Sequence, residues 1–226
     1  MRRFLLPFLA LFAATCAVAQ IPGFQGNLGV TVGISVPTGE FADTWGKNMF
    51  TYGGHLAMPL GVLPFQAGFA FDHSRMGYEM STVPVSNPAL TATEGKLAVT
   101  AKVLSYHPLL RLSPLKGKVQ PYVEGMIGMR QFTTKTIFTV DGLEGPLSKE
   151  RNANDFTFST GWAAGVMVGL GRIAYVEARV ERFNSRNATY VDPSTINVDG
   201  AGNVGFDVLR SNTDAVNVLL GIGLRF

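Results

Sequence analysis

The chain has 226 residues, with 19 lysines and arginines against 16 aspartates and glutamates. Charged residues make up only 15% of it, whereas about a quarter is usual in a soluble domain. The near balance of charge disfavours a nucleic-acid-binding protein, and the single cysteine, Cys16, excludes a disulfide within the chain.

Residues 1–19 have the features of a cleaved secretory signal peptide. Arg2 and Arg3 form a positive start, residues 4–14 form an apolar core, and residues 17–19 form a small-x-small cleavage site. The apolar core is too short to span a membrane as a helix. A lipoprotein signal that uses Cys16 is the alternative, although the three residues before it do not fit that motif. The sequence therefore predicts export of one domain, residues 20–226.

Eight segments of that domain alternate large apolar residues with small or polar ones. This period of two is that of a β-strand with one apolar face. The length of each segment is near or above the roughly 9–11 residues that a tilted strand needs to cross a bilayer, and no uncharged apolar run reaches the roughly 20 residues of a spanning helix. The segments are residues 27–36, 50–60, 65–78, 96–110, 119–132, 156–170, 173–183 and 216–226.

The connections between these segments alternate in length. Short links with Gly or Pro fall at residues 61–64, 113–118 and 169–172, and long polar links fall at residues 38–49, 79–95, 133–155 and 184–212. Short turns at one end and long loops at the other are typical of a transmembrane barrel. The predicted fold is therefore all-β, a transmembrane antiparallel up-and-down β-barrel of eight strands.

Two other architectures fit parts of the pattern. A ten-stranded barrel results if residues 189–198 form an additional hairpin. A soluble antiparallel barrel or sandwich also alternates. The soluble alternative is disfavoured because a core built from the Gly, Ala, Ser, Thr and charged face would leave the apolar face in water.

The small and polar face is predicted to line the barrel interior. In the fourth segment this places Leu97, Val99, Ala101 and Val103 outside. Eight strands leave little room in a lumen, and burying unpaired charge is costly, so acids and bases should pair across it. We interpret the set as a plug that fixes strand register, and a polar conduit or gate is the alternative. The predicted lumen charge network is Lys102, Glu124, Arg130, Glu177, Arg179 and Glu181.

Catalytic and metal sites find little support in the residues. Asp72, His73 and Ser74 are adjacent on one strand, so alternation sends His73 to one face and its neighbours to the other. His55 and His107 have no evident partner in sequence, and the three histidines show no metal-ligand spacing. We predict no catalytic, cofactor-binding or metal site.

Aromatic residues cluster near the strand ends. Tyr52, Phe71 and Phe156 occupy such positions, where aromatic girdles meet lipid head groups. Phe41 and Trp45 lie in the first long link, and we predict that they fold it back onto the barrel rim.

The final strand is apolar at every second position and ends on an aromatic residue. Together with the segments 36–42 (VPTGEFA) and 120–128 (QPYVEGMIG), this ending resembles the outer membrane protein β-barrel domain family, which includes OmpX, the transmembrane part of OmpA and PorT-like proteins. The resemblance implies the outer membrane of a Gram-negative cell. It also implies that the barrel insertion machinery reads a C-terminal signal made of Leu220, Ile222, Leu224 and Phe226.

The resemblance specifies architecture better than activity. We expect a non-enzymatic structural or interaction component whose external loops, residues 79–95, 133–155 and 184–212, contact partners. Expected partners are outer-membrane lipid and lipopolysaccharide, the insertion machinery, and a protein at the extracellular loops, with no cofactor and no nucleic acid. A small-solute channel and a lipid-modifying enzyme are the alternatives.

Overall fold

The computed structural model describes residues 26–61, 63–84, 94–115, 117–140, 148–198 and 204–226. The predicted signal peptide, with Cys16, lies outside these residues. The two helices within the described ranges have five and three residues, too few to span a bilayer.

Eight antiparallel strands form a closed barrel in which each strand pairs with two neighbours. The order around the barrel is β1-β12-β7-β6-β5-β4-β3-β2, which confirms the predicted eight-stranded fold. These strands are β1 (Asn27–Pro37), β2 (Met49–Pro59), β3 (Phe65–Pro84), β4 (Glu94–Leu112), β5 (Val119–Val140), β6 (Ser148–Leu170), β7 (Ala174–Ser185) and β12 (Ala215–Arg225).

The link between β7 and β12 forms two small ribbons outside the barrel. In the first, β8 (Asn187–Val191) pairs with β11 (Val208–Asn212), and in the second, β9 (Asn197–Val198) pairs with β10 (Val204–Gly205). Neither ribbon joins the barrel sheet, so the ten-stranded alternative is wrong. The ribbons lie at what we call the loop end of the barrel.

Tight turns close the opposite end, which we call the turn end. Gly61 and Gly171 have φ angles of 67° and 82° there, in the left-handed region that glycine adopts without steric cost. The first and last strands also meet at this end. The backbone N–H of Gly26 donates to Phe226 O at 2.7 Å, and the N–H of Phe226 donates back to Gly26 O at 3.0 Å.

Four strands are longer than the sequence pattern predicts. β3 continues to Pro84, β4 begins at Glu94, and β5 and β6 pair from Phe138 opposite Ser148. Much of the predicted loops 79–95 and 133–155 is therefore paired strand. The extension of β5 carries Thr133, Thr134, Thr136 and Ile137 in place of a clear apolar alternation, and such β-branched residues favour the strand conformation.

The side chains point in the predicted direction in most strands. In the half of β4 nearest the loop end they point the opposite way from the prediction. Leu97, Val99, Ala101 and Val103 are buried inside, and Lys102 between them points outward. The assignment of Lys102 to the lumen is therefore wrong. The apolar face of β4 points inward here because the barrel interior is itself apolar at the loop end.

A compact apolar cap fills the loop end. The helix α1 (Glu40–Thr44), in the first link, inserts Phe41 fully buried, with its ring centroid 6.1 Å from Phe132 and 5.5 Å from Tyr190. The Trp45 ring lies 6.3 Å from Tyr190. This packing confirms that the first link folds back onto the rim. The cap consists of Phe41, Trp45, Met49, Met76, Ala101, Val103, Phe132, Ala188 and Tyr190.

The outer surface of the barrel carries a continuous belt of large apolar side chains. They belong to strands whose alternate residues face the lumen, so their exposure follows directly from the sequence period. A contiguous apolar surface of this extent is rare on a protein that meets only water. The belt includes Val30, Val32, Ile34, Phe69, Leu110, Val123, Ile127, Phe158, Trp162, Val218, Leu220 and Ile222.

Candidate functional site

The charged lumen is centred on Glu124, which projects inward from β5. Its Oε1 accepts from Arg111 Nε of β4 at 2.5 Å, and its Oε2 lies 2.6 Å from Arg179 Nη2 of β7. All three side chains are almost completely withdrawn from solvent. One carboxylate thus joins two arginines from strands on opposite sides of β5 in the barrel order.

Arg179 extends the network toward a second acid. Its Nε donates to Glu181 Oε1 at 2.6 Å, and Glu181 Oε2 accepts from Asn217 Nδ2 of β12 at 2.9 Å. Arg179 and Glu181 are two residues apart on one strand, so alternation aims both into the lumen. The chain of contacts from Arg111 to Asn217 crosses the barrel and leaves the charges of its ion pairs mutually compensated.

A third acid, Glu177, lies nearer the turn end among aromatic and histidine side chains. Tyr122 Oη donates to Glu177 Oε1, and His55 Nε2 lies 3.4 Å from Glu177 Oε2. Tyr175 Oη is 3.3 Å from the same His55 nitrogen. The Arg111 guanidinium lies over the Tyr122 ring, 4.2 Å from its centroid, which links this layer to the one above through a cation–π contact.

Glycines on β1 and β12 make space for the aromatic layer. A Cβ added at Gly223 would overlap Tyr175 Cζ, and one added at Gly29 would come within 2.6 Å of His55 Cε1. The alternating glycines of these strands therefore accommodate the two large rings. These glycines therefore allow close packing inside the barrel, in addition to forming the small face of the alternating strands.

Arg130 forms a separate layer closer to the loop end. Its Nη1 donates to the Thr213 carbonyl at 2.5 Å, and its guanidinium carbon lies 5.5 Å from the Phe132 ring and 5.6 Å from the Phe183 ring. The residue is buried. The Thr213 carbonyl, the Ser185 hydroxyl at 3.4 Å from Nη1 and two aromatic faces thus surround this arginine where the lumen meets the cap.

Five of the six predicted lumen residues contribute to these layers, namely Glu124, Arg130, Glu177, Arg179 and Glu181. Lys102 does not, because it lies on the outer face. Sequence reasoning missed Arg111, which falls in the part of the fourth segment whose alternation is irregular. Counting by twos from buried His107 and Leu109 places Arg111 inside. The other lumen partners that the sequence analysis did not assign are Tyr122, Tyr175 and Asn217.

The structure places Asp72 and Ser74 on one face of β3 and His73 on the other. Asp72 and Ser74 face the lumen, whereas His73 faces outward with its ring stacked 4.7 Å from that of Tyr52. His107 is buried against the Phe183 ring at a centroid distance of 4.7 Å. Within the described ranges, no group of three His, Cys, Asp or Glu residues is arranged to hold a metal ion.

The residues of the predicted C-terminal signal lie on the last strand and just after it. Leu220 and Ile222 are outward-facing members of the apolar belt. Leu224 has the same outward parity and pairs with Leu28 of β1. Phe226 follows β12 and makes the backbone contacts with Gly26 described above.

No protein-family model and no curated protein matches the chain, but solved structures match its fold. A major outer membrane protein from Thermus thermophilus aligns over 90% of this chain and 100% of its own, at 10% identity and a TM-score of 0.51. The fold is that of the small outer-membrane β-barrels. Neisserial surface protein A (NspA) aligns over 90% and 97%, at 13% identity and a TM-score of 0.45. Ail of Yersinia pestis gives the same coverage and identity with a TM-score of 0.40.

Proposed function

We propose that this protein is an integral outer-membrane β-barrel that acts as a non-enzymatic structural or interaction component. The observation that carries the proposal is the inversion of polarity across the barrel wall. Large apolar side chains form the outside of a closed sheet, and paired charges occupy the inside. This arrangement is stable when hydrocarbon contacts the outside, because a closed barrel satisfies every backbone polar group without water.

The filled lumen supports a structural role over a small-solute channel. The ion pairs from Arg111 to Glu181 bridge the interior, and the apolar cap around Phe41 covers the loop end. Eight-stranded barrels have interiors just wide enough for side chains, whereas water-filled pores occur in much larger barrels. Because side chains occupy the lumen both at the ion pairs and at the cap, we favour a plug over a channel.

The proposal of a non-enzymatic role rests on the geometry of the titratable side chains. Asp72 and Ser74 face away from His73, and His55 lies enclosed between Glu177 and Tyr175 inside the barrel. A nucleophile, a base and an orienting group must be within hydrogen-bond reach of one another and of the substrate. The described histidines do not meet that requirement at an open surface.

The interaction surface is proposed to be the loop end, where the β8–β11 ribbon stands above the barrel. Val208 on this ribbon is exposed, beside the exposed Arg210. Loops on a rigid scaffold are the usual site of recognition. The residues 79–95, 133–155 and 184–212 remain our proposed contact segments. Leu220, Ile222, Leu224 and Phe226 are proposed as the signal that the insertion machinery reads.

The test is to refold the purified protein into phospholipid vesicles and compare boiled with unboiled samples on SDS gels. We expect a mobility difference, as a folded barrel resists SDS until heated. We also expect no steady conductance in planar bilayers, because the lumen is filled. A protein that stays dissolved without detergent and migrates identically in both samples would contradict the membrane assignment. Stable ion-selective currents that change in Arg179→Ala would favour the channel.

A further inference from the structure

Two cations lie side by side on the outer wall of the barrel, near its loop end. Arg75 of β3 and Lys102 of β4 are direct partners in the strand register. Both point outward, since Ser74, Ala101 and Val103 beside them are buried. Side chains paired in this way have Cβ atoms about 4.5–5.5 Å apart, and like charges directly opposite one another destabilise a sheet. We call Arg75 and Lys102 the outer cation pair.

Within the described residues, no acid compensates the outer cation pair. Neither member forms an ion pair or a hydrogen bond with those residues, and the Arg75 guanidinium lies over the Tyr78 ring, 5.1 Å from its centroid. Outward positions next to the pair carry Phe50, Thr100 and Thr133. The two acids of β3 nearest to Arg75 both have inward parity: Asp72 is buried in the lumen, and Glu79 is opposite the inward-facing Val99. An anion bound from outside the chain would relieve the repulsion between Arg75 and Lys102.

A β-bulge holds the pair in place. The register between β3 and β4 shifts between Arg75 and Gly77, immediately after the arginine. Bulges at barrel rims redirect the neighbouring side chain and are structural features of the sheet. A Cβ on Gly77 would lie 3.2 Å from Pro193 Cγ, so the short 3₁₀ helix Pro193–Thr195 of the last link packs against this bulge. The direction of Arg75 is therefore set by the fold.

The outer cation pair lies among exposed aromatic side chains near the loop end, with Phe50 opposite Arg75 and Tyr78 on the loop-end side of the pair. The next outward row toward the turn end contains Tyr52, His73 and Leu104. Aromatic side chains at the edges of a membrane barrel lie at the level of the lipid head groups. The pair is thus at head-group height at the end of the barrel that carries the long links.

We propose that the outer cation pair binds a phosphate monoester on the head group of an outer-leaflet glycolipid, the chemistry of lipid A. This inference rests on the proposed membrane function. A monoester carries about −1.5 to −2 charges at neutral pH, which matches two cations, whereas a phosphodiester carries only one. The planar arginine fork can engage two phosphate oxygens, and the lysine adds a compact charge beside it. The acyl chains then lie along the belt below.

The test measures lipid binding to the folded protein in detergent by native mass spectrometry. The probes are bisphosphorylated lipid A, the same lipid after removal of both phosphates, and phosphatidylglycerol. We expect the wild type to prefer the phosphorylated lipid A. The double variant Arg75→Ala/Lys102→Ala should lose roughly tenfold or more of that affinity, because charge-assisted contacts to the phosphate are removed. Raised salt should weaken the wild-type interaction.

Two further variants separate this site from general charge effects. Lys118→Ala/Arg172→Ala removes two exposed cations at the turn end and should leave lipid A affinity unchanged. Arg75→Lys/Lys102→Arg keeps both charges and should retain most of it. Equal binding of phosphatidylglycerol, or equal losses in the two alanine variants, would overturn the assignment. The heat-dependent gel shift reports separately on membrane insertion, so a protein that inserts normally but ignores the phosphates contradicts this site alone.

Discussion

The single carboxylate of Glu124 compensates the charges of two buried arginines. Its carboxylate is within 2.6 Å of both Arg111 and Arg179. Buried ion pairs of this kind contribute little relative to an apolar core, yet removal of one partner leaves uncompensated charge in a medium that solvates it poorly. Removing Glu124 should therefore lower the free energy of unfolding more than losing one of its two contacts with arginine.

Glu124→Ala should lower the free energy of unfolding by about 3–5 kcal/mol, the usual effect of breaking a buried pair. Urea unfolding in phospholipid vesicles, followed by the gel mobility of unboiled samples, measures the change. Glu79→Ala is the matched control, since Glu79 is exposed on an extended strand. A loss in Glu124→Ala no greater than that in the control would show that the network does not hold the strands together.

Single residues also show where sequence reasoning succeeds and where it ends. Glu177, Arg179 and Glu181 are assigned to the lumen correctly because β7 alternates without interruption. A period of two establishes that faces alternate but not which face is inside, and a strand that is apolar on the inside reverses the inference. Lys102 was misplaced for this reason, and Arg111 was missed on the same strand.

Among the elements, the helix α1 is stabilised by the packing of its buried face against the cap. A helix of five residues is not stable in isolation, because too few hydrogen bonds offset its nucleation. Phe41 anchors it beneath Tyr190, and Glu40 Oε2 accepts from the backbone N–H of Asn212 at 2.9 Å. The first and last links are thus joined above the barrel.

Phe41→Ala should loosen the cap without unfolding the barrel. Truncating a buried Phe typically costs about 3–5 kcal/mol, and here the loss falls on a small local cluster. We expect proteinase K to cleave residues 38–48 of the folded protein much faster, with the gel shift of the intact barrel retained. Phe50→Ala, on an exposed outward ring, should leave the cleavage rate near that of the wild type. Equal protection in both variants would mean that Phe41 does not anchor the cap.

A weaker contact between the same two links depends on pH. Asp192 Oδ2 lies 3.4 Å from Lys47 Nζ. Partial burial by itself raises the pKa of Asp192, but hydrogen bonds from Ser194 and the charge of Lys47 outweigh it and hold the pKa below its usual value. A carboxyl whose pKa is depressed in the folded state stabilises that state above its unfolded pKa of about 3.9 and loses this contribution as pH falls through the folded pKa.

We therefore expect acidification below about pH 4 to loosen the cap by up to roughly 1 kcal/mol, the range for an exposed pair. Fluorescence of Trp45 in a Trp162→Phe background should shift to the red over this range, since Trp45 is buried in the cap. Asp192→Asn should show part of the shift already at neutral pH and a smaller acid-induced change. An unaltered titration in Asp192→Asn would rule out this contact as its source.

The lengths of elements were harder to predict than their existence. Seven of the eight barrel strands were identified because the apolar belt requires alternation along each of them, and β4 was identified from an alternation whose apolar residues, Leu97 to Val103, face inward. Beyond the belt the outward residues need not be apolar, so the period disappears while backbone pairing continues. The stretch 133–139 shows this, since its threonines and lysine read as a polar loop but pair with β6.

For the whole molecule, the environment outside the barrel decides the stability of the fold. Ile127 is 55% exposed in the middle of β5, on the apolar belt. In water this exposure would be a liability, whereas in lipid it carries no penalty. A cation at the same position would be well solvated in water and destabilising in lipid.

Ile127→Arg should destabilise the protein in vesicles by about 2–4 kcal/mol, as expected for a cation near the bilayer midplane. Val208→Arg is the control, because Val208 is 56% exposed on the β8–β11 ribbon and remains outside the belt. Urea titrations of the two variants in the same lipid give the comparison. Similar midpoints for both would indicate that lipid does not contact Ile127.

Pairing of β1 with β12 joins the first strand of the barrel to the last, and the order in which the strands are synthesised therefore affects assembly. Until the last strand arrives, β1 and β7 each present an open hydrogen-bonding edge, and such edges recruit other chains into aggregates. Contacts so distant in sequence also form slowly. A nascent polypeptide must consequently be kept from associating with its neighbours throughout synthesis, and assembly becomes an all-or-none event that awaits its final eleven-residue strand.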